Sequence, residues 1–182
     1  MKINEIFYSL QGEGYWTGTP MVFVRFSGCN RQCPFCDTEH ESHEEMTEDE
    51  IIEKISQYPA ERVCLTGGEP CMQVTDTLVE RLHEEGYTVH METNGSLPVP
   101  ESVDWVALSP KEGCVLERCD ELKLLFPCDP TEYLAIETSH RFLQPIATSD
   151  PEETEENTLE AIEYIKANPW FRLSLQTHKY LN

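Results

Sequence analysis

The sequence predicts an α/β fold, a partial and open TIM-like β/α barrel with a reduced helical layer. Three observations lead there. Runs rich in β-branched and aromatic residues alternate with helical stretches, the pattern of parallel α/β architecture. Several connections between the later strands are too short to hold a helix. The chain has 182 residues, whereas a complete eightfold barrel needs at least about 200. No internal repeat or low-complexity linker interrupts it, so residues 1–182 are expected to form one domain.

Each element can be justified in turn. Residues 3–9 and 21–28 are expected strands, separated by the glycine-rich Gln11-Gly12-Glu13-Gly14. Residues 47–57 predict a helix: Thr47 followed by Glu50 has capping-box spacing, and Ile51, Ile52 and Ile55 supply an apolar face. Residues 62–66 form a short apolar strand ending at Gly67-Gly68. Residues 75–85 predict a second helix, with Leu78, Val79 and Leu82 as its buried stripe. Strands follow at 87–92, 105–109, 122–126 and 142–147. Residues 153–166 predict a third helix, with Leu159, Ile162 and Ile165 on one face, and residues 171–176 close the series.

In such folds the working residues sit at the carboxyl ends of strands. Gly28-Cys29, Thr66-Gly67-Gly68-Glu69-Pro70, Glu92-Thr93-Asn94-Gly95, Ser109-Pro110-Lys111 and Gln176-Thr177-His178 all occupy that position, and Gln144-Pro145 lies late in its strand. These polar tails are expected to face one rim.

Composition excludes some functions. The formal net charge is −21, which leaves no basic footprint for nucleic acid and no polybasic membrane anchor. The first residues, Met-Lys-Ile-Asn-Glu-Ile, lack the apolar run of a signal peptide. No apolar segment is long enough to cross a bilayer. A cytoplasmic protein is therefore expected, and its 8 cysteines are expected to be ligands or buried thiols rather than disulfides. Cys64, within Arg-Val-Cys-Leu, reads as core. Cys71, Cys114, Cys119 and Cys128 are scattered.

Cys29, Cys33 and Cys36 fall within eight positions, spaced Cys-x3-Cys-x2-Cys. With His40 they could close a tetrahedral zinc site, but such sites mostly staple domains lacking a core. Three thiolates on a [4Fe–4S] cube would leave one iron without a protein ligand. The spacing, with Phe35 just before the last cysteine, resembles the radical S-adenosylmethionine (SAM) superfamily. Thr66-Gly67-Gly68-Glu69-Pro70 resembles that superfamily's GGE motif. The resemblance implies that the open iron chelates SAM. One electron from the reduced cluster then cleaves it to methionine and a 5'-deoxyadenosyl radical, which takes a hydrogen from substrate.

Outside the cluster loop, Phe7-Tyr8-Ser9-Leu10-Gln11-Gly12-Glu13-Gly14 resembles the amino-terminal signature of the 7-carboxy-7-deazaguanine synthase (QueE) family of queuosine-precursor biosynthesis. Val24-Arg25-Phe26, Cys36-Asp37-Thr38, Ser109-Pro110-Lys111, Gln144-Pro145 and Gln176-Thr177-His178-Lys179 match in family order. The resemblance implies a lyase that contracts 6-carboxy-5,6,7,8-tetrahydropterin to 7-carboxy-7-deazaguanine with loss of ammonia, using a [4Fe–4S] cluster, SAM and Mg2+. It implies a homodimer reduced by a flavodoxin- or ferredoxin-like low-potential donor.

Carried onto this chain, Cys29, Cys33 and Cys36 hold the cluster and Thr38 ligates Mg2+. Phe35, Gly68, Ser109, Lys111 and Gln144 contact SAM. Leu10, Gln11, Gly12, Arg25, Thr66 and His178 contact the pterin, Arg25 through the substrate carboxylate, which its planar fork suits. Two rival readings stand beside this one: a radical SAM activase acting on a glycyl-radical enzyme, and a non-enzymatic zinc or electron-transfer protein.

Overall fold

The computed structural model describes residues 1–180. Among these residues nine strands form one sheet: β1 (Lys2–Leu10), β2 (Pro20–Phe26), β3 (Glu44–Glu45), β4 (Arg62–Gly67), β5 (Thr88–Thr93), β6 (Trp105–Leu108), β7 (Arg118–Phe126), β8 (Glu137–Pro145) and β9 (Arg172–Leu173). Their spatial order is β3-β1-β2-β4-β5-β6-β7-β8-β9. From β2 to β9 every pairing is parallel. β1 pairs antiparallel with both β2 and β3, since the 11–19 segment is a return loop and not a helical crossover. β3 and β9 are the two ends of this order, so the sheet is open, as the chain length predicts.

Among the described residues there are three α-helices: α1 (Glu48–Ile55), α2 (Asp76–Glu84) and α3 (Pro151–Ala167). Thr47 caps α1 in a full capping box: its hydroxyl oxygen accepts from the Glu50 N–H at 3.3 Å, and the Glu50 carboxylate accepts from the Thr47 N–H at 2.8 Å. Ile51 and Ile55 are buried. In α2, Leu78, Val79 and Leu82 are buried, as their spacing predicts. Helices of eight or nine residues are marginal alone. Each buried Leu or Ile adds roughly 1.5–3 kcal/mol, so tertiary packing holds them.

Strand alternation sorts the residues. Val22, Val24 and Phe26, with Val63, Leu65, Val89 and Met91, form the outer core under α1 and α2. Leu122, Leu124 and Leu143 form a second core with Ala161 of α3. The intervening positions, among them Arg25, Thr66, Glu92, Lys123 and Gln144, therefore face the concave side.

Several expectations need correction. β7 and β8 start at Arg118 and Glu137, well before 122 and 142, because their first residues pair with each other at the sheet's lower end. β9 spans only Arg172–Leu173. The stripe predicted for α3 holds only in part: Ile165 packs against the second core and Ile162 is half-buried, but Leu159 is exposed, and the buried residues are Asn157 and Ala161. α3 docks onto the β8–α3 connection through Asn157, whose amide donates to the Ile146 carbonyl at 3.0 Å. That anchor turns Leu159 outward. β3 was not predicted, since Glu44 and Glu45 carry no strand pattern.

The 11–19 loop folds into the concave side. Tyr15 and Trp16 pack against His90, Trp105 and His140, with the Arg62 guanidinium 4.8 Å from the Trp16 ring. This aromatic plug fills the amino-terminal end of the open barrel. The Gly12 carbonyl accepts from the Thr177 N–H at 2.9 Å, and the Gly14 N–H donates to Ser174 Oγ at 3.0 Å. The loop after β1 thus ties back the free edge beyond β9.

Candidate active site

At the carboxyl ends of the parallel strands lies a cavity of about 1250 Å³. All 15 residues expected from the sequence line it: Leu10, Gln11, Gly12, Arg25, Cys29, Cys33, Phe35, Cys36, Thr38, Thr66, Gly68, Ser109, Lys111, Gln144 and His178. They come from the ends of five strands (β1, β2, β4, β6 and β8), the 11–19 loop, the loop after β2 and the final 3-10 turn (Thr177–Tyr180). A smaller cavity of about 680 Å³ lies beside it, and Cys29, Cys33, Cys36 and Thr38 line both.

The loop after β2 carries the three thiols, all free. It is pinned at its base, where the His40 carbonyl accepts from the Gly28 N–H at 2.8 Å and from the Ser27 hydroxyl. Asn4, at a register slip in β1, holds its far side through Glu39 and Ser42, each at 2.9 Å. Among the described residues no three His, Cys, Asp or Glu side chains converge on a single-ion site. Burial raises the Cys29 thiol pKa, and Glu69 adds to the rise.

The glycines after β4 are required by close packing. Gly67 has φ +128°, and a Cβ there would overlap the Phe26 main chain. A Cβ on Gly68 would overlap the Gly28 carbonyl and sit 3.0 Å from Cys29 Cβ. Bare backbone is thereby presented beside the thiols. Glu69 is fully buried, and its carboxylate accepts from Thr93 Oγ1 at 2.8 Å and from the Asn94 N–H at 2.8 Å. It fastens the ends of β4 and β5 together.

The other predicted residues are held as follows. Arg25 Nε donates to Glu5 Oε1 at 2.8 Å on the cavity wall, and the register puts Arg25 beside Thr66. Lys111 Nζ donates to the Ser109 carbonyl at 2.7 Å and lies 5.9 Å from the Phe35 ring centre. Burial lowers its pKa. Gln144 Oε1 accepts from Ser174 Oγ at 2.7 Å. His178 packs over Gly12.

Sequence reading undervalued an ionic floor. Lys123 Nζ, its side chain 5% exposed, donates to Glu13 Oε2 at 2.5 Å and to Glu92 Oε2 at 2.9 Å. Gln176 bridges Glu13 and Asp37 at 3.0 and 3.2 Å, and Lys179 donates to Asp37 at 2.7 Å. Burial alone would raise the Glu13 pKa, but the Lys123 charge and hydrogen bond outweigh it and hold it at about 2. The signal was a lone lysine inside the apolar run Leu122–Phe126, which reads as an ordinary strand unless its inward parity is noticed.

Three thiols on one loop, bare glycine backbone beside them and an open parallel half-barrel define a radical SAM enzyme. The Radical SAM superfamily profile matches residues 23–177. The 7-carboxy-7-deazaguanine synthase of Bacteroides thetaiotaomicron is 52% identical, across 100% of this chain and 97% of its own length. That of Bordetella pertussis is 38% identical, across 99% and 97%. The crystal structure of QueE from Escherichia coli superposes with a TM-score of 0.81 at 30% identity, covering 97% of this chain and 94% of that one. The chain therefore belongs to the 7-carboxy-7-deazaguanine synthase family. Membership implies a [4Fe–4S] cluster and SAM. The donor set fits them: three free thiols border one cavity, next to a backbone surface that no Cβ could occupy.

Proposed function

We propose that this chain contracts 6-carboxy-5,6,7,8-tetrahydropterin to 7-carboxy-7-deazaguanine with loss of ammonia. The observation that carries this reading is that Arg25 and Thr38 share one cavity with the three thiols and Gly68. When bound, the cluster and SAM supply hydrogen-atom abstraction. The protein's own residues hold and orient. Arg25 pairs with the substrate carboxylate through the guanidinium nitrogens that Glu5 leaves free. Thr38 offers a hydroxyl oxygen to Mg2+, a cation that prefers oxygen ligands and keeps positions open for substrate oxygens. Leu10, Gln11, Gly12, Thr66 and His178 border the pterin. Phe35, Gly68, Ser109, Lys111 and Gln144 border SAM.

In this reading residues 1–182 are one domain acting in the cytoplasm as a homodimer, reduced by a flavodoxin- or ferredoxin-like donor. Among the described residues no helix is long and apolar enough to cross a membrane. Neither the activase nor the zinc-protein reading is favoured, because neither uses Arg25 and Thr38 on the wall of a small-molecule cavity.

The test is anaerobic turnover by reconstituted protein with SAM, a low-potential reductant, Mg2+ and carboxytetrahydropterin. Carboxydeazaguanine in excess over enzyme is expected. Thr38→Ala should raise the Mg2+ concentration needed for half-maximal rate. SAM cleavage without carboxydeazaguanine from the wild-type protein would overturn the reading.

A further inference from the structure

The ionic floor has a function that charge balance alone does not explain. Glu13 comes from the loop after β1, Glu92 from β5 and Lys123 from β7. Each carboxylate has one oxygen on Lys123. The second oxygen of each accepts from an amide: Gln176 Nε2 to Glu13 at 3.0 Å, and Gln11 Nε2 to Glu92 at 3.2 Å. All four oxygens are thus oriented, and each keeps a further lone pair. The Lys123 side chain is 5% exposed, whereas the Glu13 and Glu92 side chains are 16% and 21% exposed, on the cavity wall. Two carboxylates against one cation leave an acceptor-only surface with a surplus of negative charge.

We propose that Lys123 is a positioning residue that holds Glu13 and Glu92 as a paired acceptor for the N–H-rich edge of a 2-amino-4-oxo-pyrimidine ring. The inference rests on the proposed pterin substrate. A planar edge presenting adjacent ring and exocyclic N–H groups matches a carboxylate in the bidentate manner of a guanidinium. Without Lys123 the two acids would repel, and one would take up a proton and become a donor. A carbonyl in place of the exocyclic amine would face lone pairs and be rejected. The device therefore sets specificity as well as affinity.

The test uses reconstituted holoenzyme with SAM bound, titrated with 6-carboxypterin and with 6-carboxylumazine and followed by ligand fluorescence. The two ligands differ at position 2, where an amino donor becomes a carbonyl acceptor. Wild-type protein is expected to prefer the pterin by about tenfold or more. Glu92→Gln should shrink that ratio below about threefold. Lys123→Met leaves two unbalanced acids and is expected to melt lower. The double variant Lys123→Met/Glu92→Gln removes one of them and should recover the melting temperature but not the preference. A double variant that keeps the wild-type ratio, or variants that weaken both ligands equally, would reduce Lys123 to a structural ion pair and overturn the proposal. Turnover of carboxytetrahydropterin without any pterin preference would overturn this inference and leave the proposed reaction standing. Preference without turnover would do the reverse.

Discussion

Gly12 and His178 are in contact so close that a Cβ on Gly12 would overlap the imidazole. They lie at opposite ends of the chain and are joined by the hydrogen bonds from Thr177 N and Oγ1 to the Gly12 carbonyl, both at 2.9 Å. Gly12→Ala should push the imidazole into the cavity while leaving the strands in place, costing roughly 1–3 kcal/mol of stability. The expected kinetic signature is a rise of about tenfold or more in KM for the pterin, with SAM cleavage in the absence of pterin unchanged. Steady-state assays beside a thermal melt check it. A variant with wild-type KM would show that the contact is mere packing.

The glycines after β4 predict a harsher outcome. Gly67 meets the Phe26 main chain and Gly68 the Gly28 carbonyl, and neither neighbour can rotate away as a side chain could. Gly67→Ala combines that overlap with an unfavourable φ of +128°. It should lose about 3 kcal/mol or more. Gly68→Ala should distort the Cys29 loop and lower the iron bound after reconstitution. Denaturant melts and iron assays read these separately.

How much was legible depended on which physical signal each residue left. The cysteine trio, the two glycines and the strand-end tails were legible because parallel architecture puts carboxyl-end residues on one rim. Thr47, Leu78 and Leu82 announced their helices through local spacing. Leu159 misled because the helical period fixes which residues share a face, but not which face docks; Asn157, bonded to Ile146, decided that. Glu13, Glu92 and Lys123 were obscured because they lie far apart in sequence and each looks ordinary alone. Only the inward parity of β5 and β7, with the infolded loop, brings them together.

The eight cysteines should separate by reactivity. Cys36 and Cys128 are exposed. Cys64 is fully buried, and burial raises its pKa, while burial pushes Cys71 up to about 12 and Cys119 up to about 11. Iodoacetamide at pH 8 on cluster-free protein should therefore label Cys36 and Cys128 first and spare Cys64, Cys71 and Cys119. After anaerobic reconstitution Cys36 should become protected and Cys128 should stay reactive. Peptide mass spectrometry reads both states. Unchanged labelling of Cys36 in iron-loaded protein would count against its role as a ligand.

Glu121 supplies a pH prediction, since its pKa is shifted in the direction opposite to that of Glu13. It lies below Lys123 and accepts from the Tyr15 N–H at 3.1 Å. Burial, reinforced by the charge of Glu92, raises its pKa to about 7 from 4.5, against the opposing effect of Lys123. The folded protein thus holds a proton here that the unfolded chain releases. Stability from this group is full below about pH 4.5 and falls as pH rises towards about 7. The loss reaches roughly 3 kcal/mol above that window, at about 1.4 kcal/mol per pKa unit. Glu121→Gln keeps an oxygen for the Tyr15 N–H and cannot ionise, so it should stabilise the protein more at pH 8 than at pH 5. Melts of both proteins at the two pH values decide it: an equal shift at both would mean that Glu121 is already charged in the fold, with the loop after β1 anchored by a carboxylate instead of a neutral acid.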